Sequence, residues 1–198
     1  MELDTTKSKV ICVGRNFVEH IKELNNENPT NPVIFIKPNS SISTSLNLLE
    51  NRELHYESEI VFAFDSSFNI KAVGLGLDIT DRDLQSKLKA KQLPWELAKS
   101  FDGSAAISNF VSIDAYDIPH LYFKAYKNSK LIQEGSYDLM IYKPSEIIDF
   151  LKSSAISICE NDLLMTGTPK GVGIINQGDE FYIELFCKEN KILDVNFK

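Results

Sequence analysis

Glu57, Glu59 and Asp78 are acidic side chains in apolar surroundings, and their spacing could build an oxygen-donor metal site. If His55-Tyr56-Glu57-Ser58-Glu59-Ile60 is a strand, His55, Glu57 and Glu59 share one face, because successive side chains alternate. Two carboxylates about 7 Å apart on one strand face repel each other unless a cation lies between them. A solvated strand edge would tolerate the pair. The apolar run at 61–64 instead speaks for burial, where unpaired charge is costly. Asp78 closes the small-residue apolar run 72–77 and offers a third oxygen ligand, although an acid there could equally cap a following helix. Carboxylates without cysteine, and with His55 at most peripheral, make a hard site suited to Mg²⁺ or Mn²⁺ rather than zinc.

A second group is His20 with Glu23. Three residues apart on a helix, the carboxylate can touch the imidazole, fix its tautomer and raise its basicity. Such a dyad can take a proton from water, although an exposed helix pair beside a loop would have the same spacing. A third is the glycine-rich stretch Thr166-Gly167-Thr168-Pro169-Lys170-Gly171-Val172-Gly173. It fits neither a Walker loop nor a dinucleotide fingerprint, yet its amides and threonine hydroxyls suit a carboxylate. Arg82, Asp83 and Gln85 follow Asp78 closely, and Lys37 and Lys99 stand out from ordinary surface charges because apolar or small residues flank them.

These side chains need elements to hold them. Apolar, β-branched runs predict strands at 9–13, 33–36, 56–64, 72–78, 121–126, 130–134, 162–166, 180–187 and 192–197. Turn-like residues at 127–129 and 188–190 predict two antiparallel hairpins. Helices are expected at about 17–24, 81–91 and 145–152, the second opened by a capping box of Thr80 and Asp83. Strands and helices do not alternate regularly, which disfavours a doubly wound parallel sheet and favours a β-rich α+β fold. The polar stretch 25–32 reads as a loop and a hinge.

Composition narrows the function. The chain has 198 residues, enough for one domain spanning 1–198 with a core that needs no disulfide or structural metal. Lys plus Arg is 21 and Asp plus Glu is 28, a formal charge of −7 that argues against nucleic acid as a partner. A small anionic substrate would then need a local cation, either a metal or a buried Lys or Arg. Cys12, Cys159 and Cys187 are widely spaced, with no zinc or disulfide pattern. Nothing approaches a membrane-spanning run or a targeting signal, so a cytoplasmic protein without a membrane partner is expected.

In order along the chain, these segments resemble the fumarylacetoacetate hydrolase family, and within it the short single-domain acylpyruvate hydrolases and oxaloacetate decarboxylases. The matching pieces are Val13-Gly14-Arg15-Asn16-Phe17 through His20 and Glu23, Phe35-Ile36-Lys37-Pro38 and His55-Tyr56-Glu57-Ser58-Glu59. They continue through residues 78–85, Lys99-Ser100-Phe101-Asp102 and the glycine-rich stretch 166–173. The resemblance implies a mixed β-roll or sandwich, a homodimer, and one Mg²⁺ or Mn²⁺ held by Glu57, Glu59 and Asp78. It implies that His20 and Glu23 activate water, that Lys99 is catalytic, and that Arg15, Lys37, Gln85 and Thr168 bind substrate. The implied activity is metal-dependent cleavage of the C–C bond of 2,4-diketo acids, the acylpyruvates, with oxaloacetate decarboxylation beside it. Alternatives are a 2-hydroxyhepta-2,4-diene-1,7-dioate isomerase or decarboxylase and a non-catalytic domain binding metal and a small acid. The sequence departs from the family where Phe17 replaces a common Tyr, Leu77 an Asn and Asp81 an Ala, which bears on metal and substrate preference.

Overall fold

Residues 1, 3–23 and 29–198 are described by the computed structural model. Strand β1 (Val10–Gly14) leads through helix α1 (Val18–Glu23) to β2 (Val33–Lys37) and the two-residue β3 (Ile42–Ser43). Next come β4 (Leu54–Tyr56), β5 (Ser58–Phe64), β6 (Ile70–Asp78), β7 (Thr80–Asp81) and helix α2 (Arg82–Ala90). Then follow β8 (Ala105–Ile107), β9 (Val111–Ser112), β10 (Leu121–Lys127), β11 (Lys130–Ser136) and helix α3 (Pro144–Ser153). The chain closes with β12 (Leu163–Met165), β13 (Gly173–Ile174), β14 (Phe181–Cys187) and β15 (Asn190–Phe197).

The larger sheet runs β2-β1-β12-β5-β6-β8-β3, with β9 also paired to β6. A four-stranded antiparallel sheet, β11-β10-β14-β15, packs on one face of it. There Phe62, Phe64 and Leu75 meet Phe123, Phe181, Ile183 and Leu185 in one buried cluster. The alternate side chains Val61, Ala63, Val10 and Cys12 pack on the opposite face with Phe35, and Trp95 lies over them. Every residue of β5 is therefore buried, which is why residues 60–64 read as an unbroken apolar run rather than an alternating one. The expected β-rich α+β architecture is the one observed.

Both hairpins form as expected, β10 with β11 and β14 with β15. Asn128 (φ 51°) and Ser129 (φ 66°) supply the left-handed turn that matches strand twist. Two expectations need correction. The strand expected at 56–64 breaks at Glu57, and β4 leaves the large sheet to pair with β13 and β7. His55 goes with it and faces Glu53 at 3.2 Å. The cap of α2 is Asp81 rather than Thr80, because the Asp81 carboxylate accepts the Leu84 N–H at 3.0 Å. That local bond satisfies an orphan amide and leaves Asp78 uncommitted to capping. Leu24 of the expected first helix, and residues 25–28 of the expected hinge, lie outside the described residues.

Candidate active site

Four strand ends converge at one edge of the large sheet. β1 and β12 are parallel and finish together, β5 begins where antiparallel β6 ends, and β12 lies beside β5. The β5–β6 register sets Ser58 opposite Leu77 and Glu59 opposite Gly76, so Glu57 and Asp78 become neighbours. The Asp78 N–H closes the arrangement by donating to the Glu57 carbonyl at 2.9 Å. Glu57, Glu59 and Asp78 each present a carboxylate oxygen, all within 4.8 Å of one another. All three are buried, with 6%, 2% and 1% exposure.

Buried cations surround the cluster. Lys99 Nζ donates to Glu57 at 2.8 Å and to Asp78 at 2.6 Å, and its ammonium lies 5.3 Å from the Phe35 ring centre. The Arg82 guanidinium pairs with the other Glu57 oxygen and donates to Gln85 at 3.0 Å. Lys37 lies 2.9 Å from the second Asp78 oxygen. Burial pushes the Glu57 carboxyl up, but Lys99 and Arg82 outweigh it and hold the group well below the usual range. Glu59 has no such partner. Burial first, and then Asp78 and Glu57, raise it well above the usual range, only partly offset by the Gly167 N–H at 2.7 Å. Burial favours neutral Lys99, yet Asp78 and Glu57 keep its pKa above the ordinary lysine value.

This donor set fits a hard divalent cation. It is all oxygen, its three buried carboxylates lie within 4.8 Å of one another, and among the described residues Glu59 has no cationic partner.

The backbone after β12 shapes the other wall. Gly167 adopts φ +92°, and a Cβ there would come within 2.9 Å of the Val13 carbonyl oxygen, so glycine lets the loop press against β1. Asn16 locks the same junction, donating to the Thr166 carbonyl at 2.8 Å and accepting the Tyr142 N–H at 2.7 Å. Thr168 lines the cleft, and its hydroxyl oxygen accepts from Gln133 Nε2 at 2.8 Å. Gln133 is itself fixed by accepting the Ser58 N–H at 2.9 Å. The Thr168 proton is thereby left to be donated into the cleft.

Helix α1 covers the opening. His20 and Ile21 line the cleft, and His20 Nδ1 meets Glu23 at 3.1 Å. The Gly171 N–H donates to the Glu23 carboxylate at 3.0 Å, tying the helix to the glycine-rich loop. The cleft holds about 230 Å³, room for a small acid.

Nine of the ten residues expected at the site thus gather here. Arg15, His20, Gln85, Lys99, Thr168 and the three carboxylates line the cleft, and Glu23 orients His20. Lys37 differs. It is 0% exposed and does not line the cleft; its ammonium donates to Ser104 at 2.9 Å and to the Lys99 carbonyl. It holds Asp78 and the Lys99 backbone in place from beneath the cleft. Sequence reasoning missed Gln133, whose strand carries no local sign of its role. It named Arg82 without giving it a role and passed over Lys89, although the spacing 82, 85, 89 returns to one helix face.

Residues 9–193 match the family described as fumarylacetoacetate (FAA) hydrolase C-terminal. A human protein named as a mitochondrial oxaloacetate tautomerase is 37% identical, with 86% of this chain and 84% of that protein covered. A crystal structure from Oleispira antarctica, described as a candidate fumarylacetoacetate isomerase/hydrolase, superposes with a TM-score of 0.91 at 34% identity, covering 96% of this chain and 92% of that one. Fumarylpyruvate hydrolase from Pseudomonas aeruginosa, solved with Mn²⁺ and pyruvate, gives 0.86 at 25% identity, covering 97% and 89%.

Proposed function

The chain belongs to the fumarylacetoacetate hydrolase C-terminal family, and on that premise we propose that it is a divalent-metal-dependent enzyme that turns over short 2-oxo acids through their enolates. The observation that carries this reading is the meeting, in one small cleft, of the Glu57–Glu59–Asp78 cluster with the His20–Glu23 dyad. Mg²⁺ or Mn²⁺ held by those carboxylates would supply Lewis-acid stabilisation of enolate charge.

The remaining steps belong to side chains. Thr168, its oxygen already engaged by Gln133, donates to the substrate carboxylate. His20, oriented by Glu23, holds or moves the proton that each reaction requires. In hydrolysis of an acylpyruvate it takes a proton from water, which attacks the distal carbonyl, and the C–C bond breaks to release the pyruvate enolate. In oxaloacetate decarboxylation the same enolate forms by loss of CO₂, without water attack. Lys99 places positive charge beside the cluster in either case.

The relative named as an oxaloacetate tautomerase favours a second reading in the same cleft, in which His20 accepts the C3 proton of oxaloacetate and the 2-oxygen receives one. Among the described residues no helix is long and apolar enough to cross a membrane. A homodimer in a reducing, cytoplasmic setting completes the reading. The three unpaired cysteines support that setting, and light scattering at about twice 22.4 kDa would support the dimer.

Acetylpyruvate, oxaloacetate and a 2-hydroxydienedioate, each assayed with chelator, Mg²⁺ or Mn²⁺, test the proposal. Metal-restored turnover of the first or second is expected. Turnover of the dienedioate alone would move the assignment to the isomerases, and full activity in chelator would remove it.

A further inference from the structure

Helix α2 rises from the carboxylate cluster with Arg82, Gln85 and Lys89 on one face. The first two are engaged deep in the cleft, Arg82 with Glu57 and Gln85 with Arg82. Lys89 lies two turns further, about 10 Å along the axis. It is exposed, it lines the same cleft, and its ammonium sits 5.6 Å from the Trp95 ring centre. Arg15, in left-handed backbone (φ 56°) directly after β1, also lines the cleft.

Charge is distributed unevenly between depth and rim. At the bottom, Lys37, Arg82 and Lys99 are all paired, with Glu57 or Asp78. Among the described residues no carboxylate pairs with Lys89 or Arg15. The protein as a whole carries −7, so two cations at the mouth without a carboxylate partner among the described residues run against its average. Desolvation, and then the like charges of Arg15, Lys99 and Arg82, hold the Lys89 ammonium down to about 8. A cation kept among cations, stacked by an indole and aimed into a cleft, is relieved by an anion of the right reach.

We propose that Lys89 and Arg15 form a distal anion subsite that takes the second carboxylate of a 2-oxo dicarboxylate, so that this chain selects dianionic over monoanionic 2-oxo acids. The inference rests on the reading above, in which the 2-oxo acid end of the substrate lies at the carboxylate cluster. Lys89 acts on selection and not on chemistry. Its removal raises KM for a dianion and leaves kcat in place.

Calorimetric binding to the Mg²⁺-loaded protein tests this with 2-oxoglutarate and 2-oxopentanoate, which differ only by a carboxylate or a methyl at C5. The wild type is expected to bind the diacid about tenfold more tightly, the scale of one charge-assisted contact. Lys89→Met should close most of that gap and Lys89→Arg should restore it. Turnover should agree, with KM for oxaloacetate rising about tenfold in Lys89→Met while kcat, and KM for acetylpyruvate, change less than twofold. Equal affinities in the wild type, or an undiminished gap in Lys89→Met, would overturn the subsite and leave the reading of the cleft intact. Selective 2-oxoglutarate binding without turnover of any 2-oxo acid would keep the subsite and remove the enzymatic reading. No binding of either acid would overturn both.

Discussion

Lys37 and Asp78 meet at 2.9 Å with side chains 0% and 1% exposed, whereas Lys191 and Asp194 meet at 2.8 Å with side chains 41% and 43% exposed. The distances are alike and the environments opposite. The first pair lies beneath the cleft, among strands buried on both faces. The second decorates the outer hairpin β14–β15, where water and salt screen it. Geometry alone therefore says little about what an ion pair does here. Beneath the cleft, each charge exists because another must be held, and losing one strands its partner. On the hairpin, losing one returns its partner to solvent.

That contrast can be broken or sharpened by mutation, and the largest effect should come from its buried end. Lys37→Met leaves Asp78 facing Lys99 alone and removes the donor to the Ser104 and Lys99 carbonyls. Denaturant unfolding should show a loss of about 3–5 kcal/mol. A loss under about 1 kcal/mol would put the buried pair on the level of the exposed one. The His20–Glu23 pair stands between the extremes, with side chains 8% and 33% exposed. His20→Ala should slow acetylpyruvate hydrolysis by about 10²-fold, the scale of a lost general base, with little change in stability. Oxaloacetate decarboxylation should fall less, and an equal fall in both would reduce the helix to a cover.

Asp179, in the turn before β14, tests the middle ground. It accepts from the Asn176 N–H and Asn128 Nδ2 at 2.8 Å, and from Lys127 at 3.1 Å. Burial pushes its carboxyl up, but these donors outweigh it and set the folded pKa below the ordinary 3.8. Its stabilisation is thus full above that value and is lost as pH falls through the lower, folded one. Asp179→Asn should cost about 1 kcal/mol at pH 7 and flatten the acid limb of the stability curve, with turnover unaffected. Lys191→Ala should be the smallest effect, under about 0.5 kcal/mol and smaller still in added salt. A larger value would mean that the hairpin pairs are not solvated in effect.

The same contrast explains how much was legible beforehand. Long elements with many like-patterned residues, β5, β6, β10, β14 and α3, were readable because their periodicity repeats several times. The two- and three-residue strands β3, β8 and β9 were not, since nothing periodic fits in so few positions. The break at Glu57 was hidden by apolar residues on both sides, and it took the pairing of β4 with β7 and β13 to reveal it. The carboxylate cluster was legible because like charges in apolar surroundings call for a cation. The burial of Lys37 was not, because its partners Asp78, Lys99 and Ser104 come from distant segments. Gln133 escaped for the same reason, lying 35 residues from the threonine it orients.

Gly171 adds one more consequence. Its amide donates to Glu23, and at φ +99° a side chain there would collide with the Ile132 carbonyl, so this N–H is aimed by the backbone alone. A single exchangeable hydrogen therefore registers whether the covering helix is seated. Its deuterium uptake, followed on an isotope-labelled sample, would act as a built-in gauge of the closed population. It would read the opening equilibrium directly, before any substrate is turned over and without a dye or tag attached to the helix.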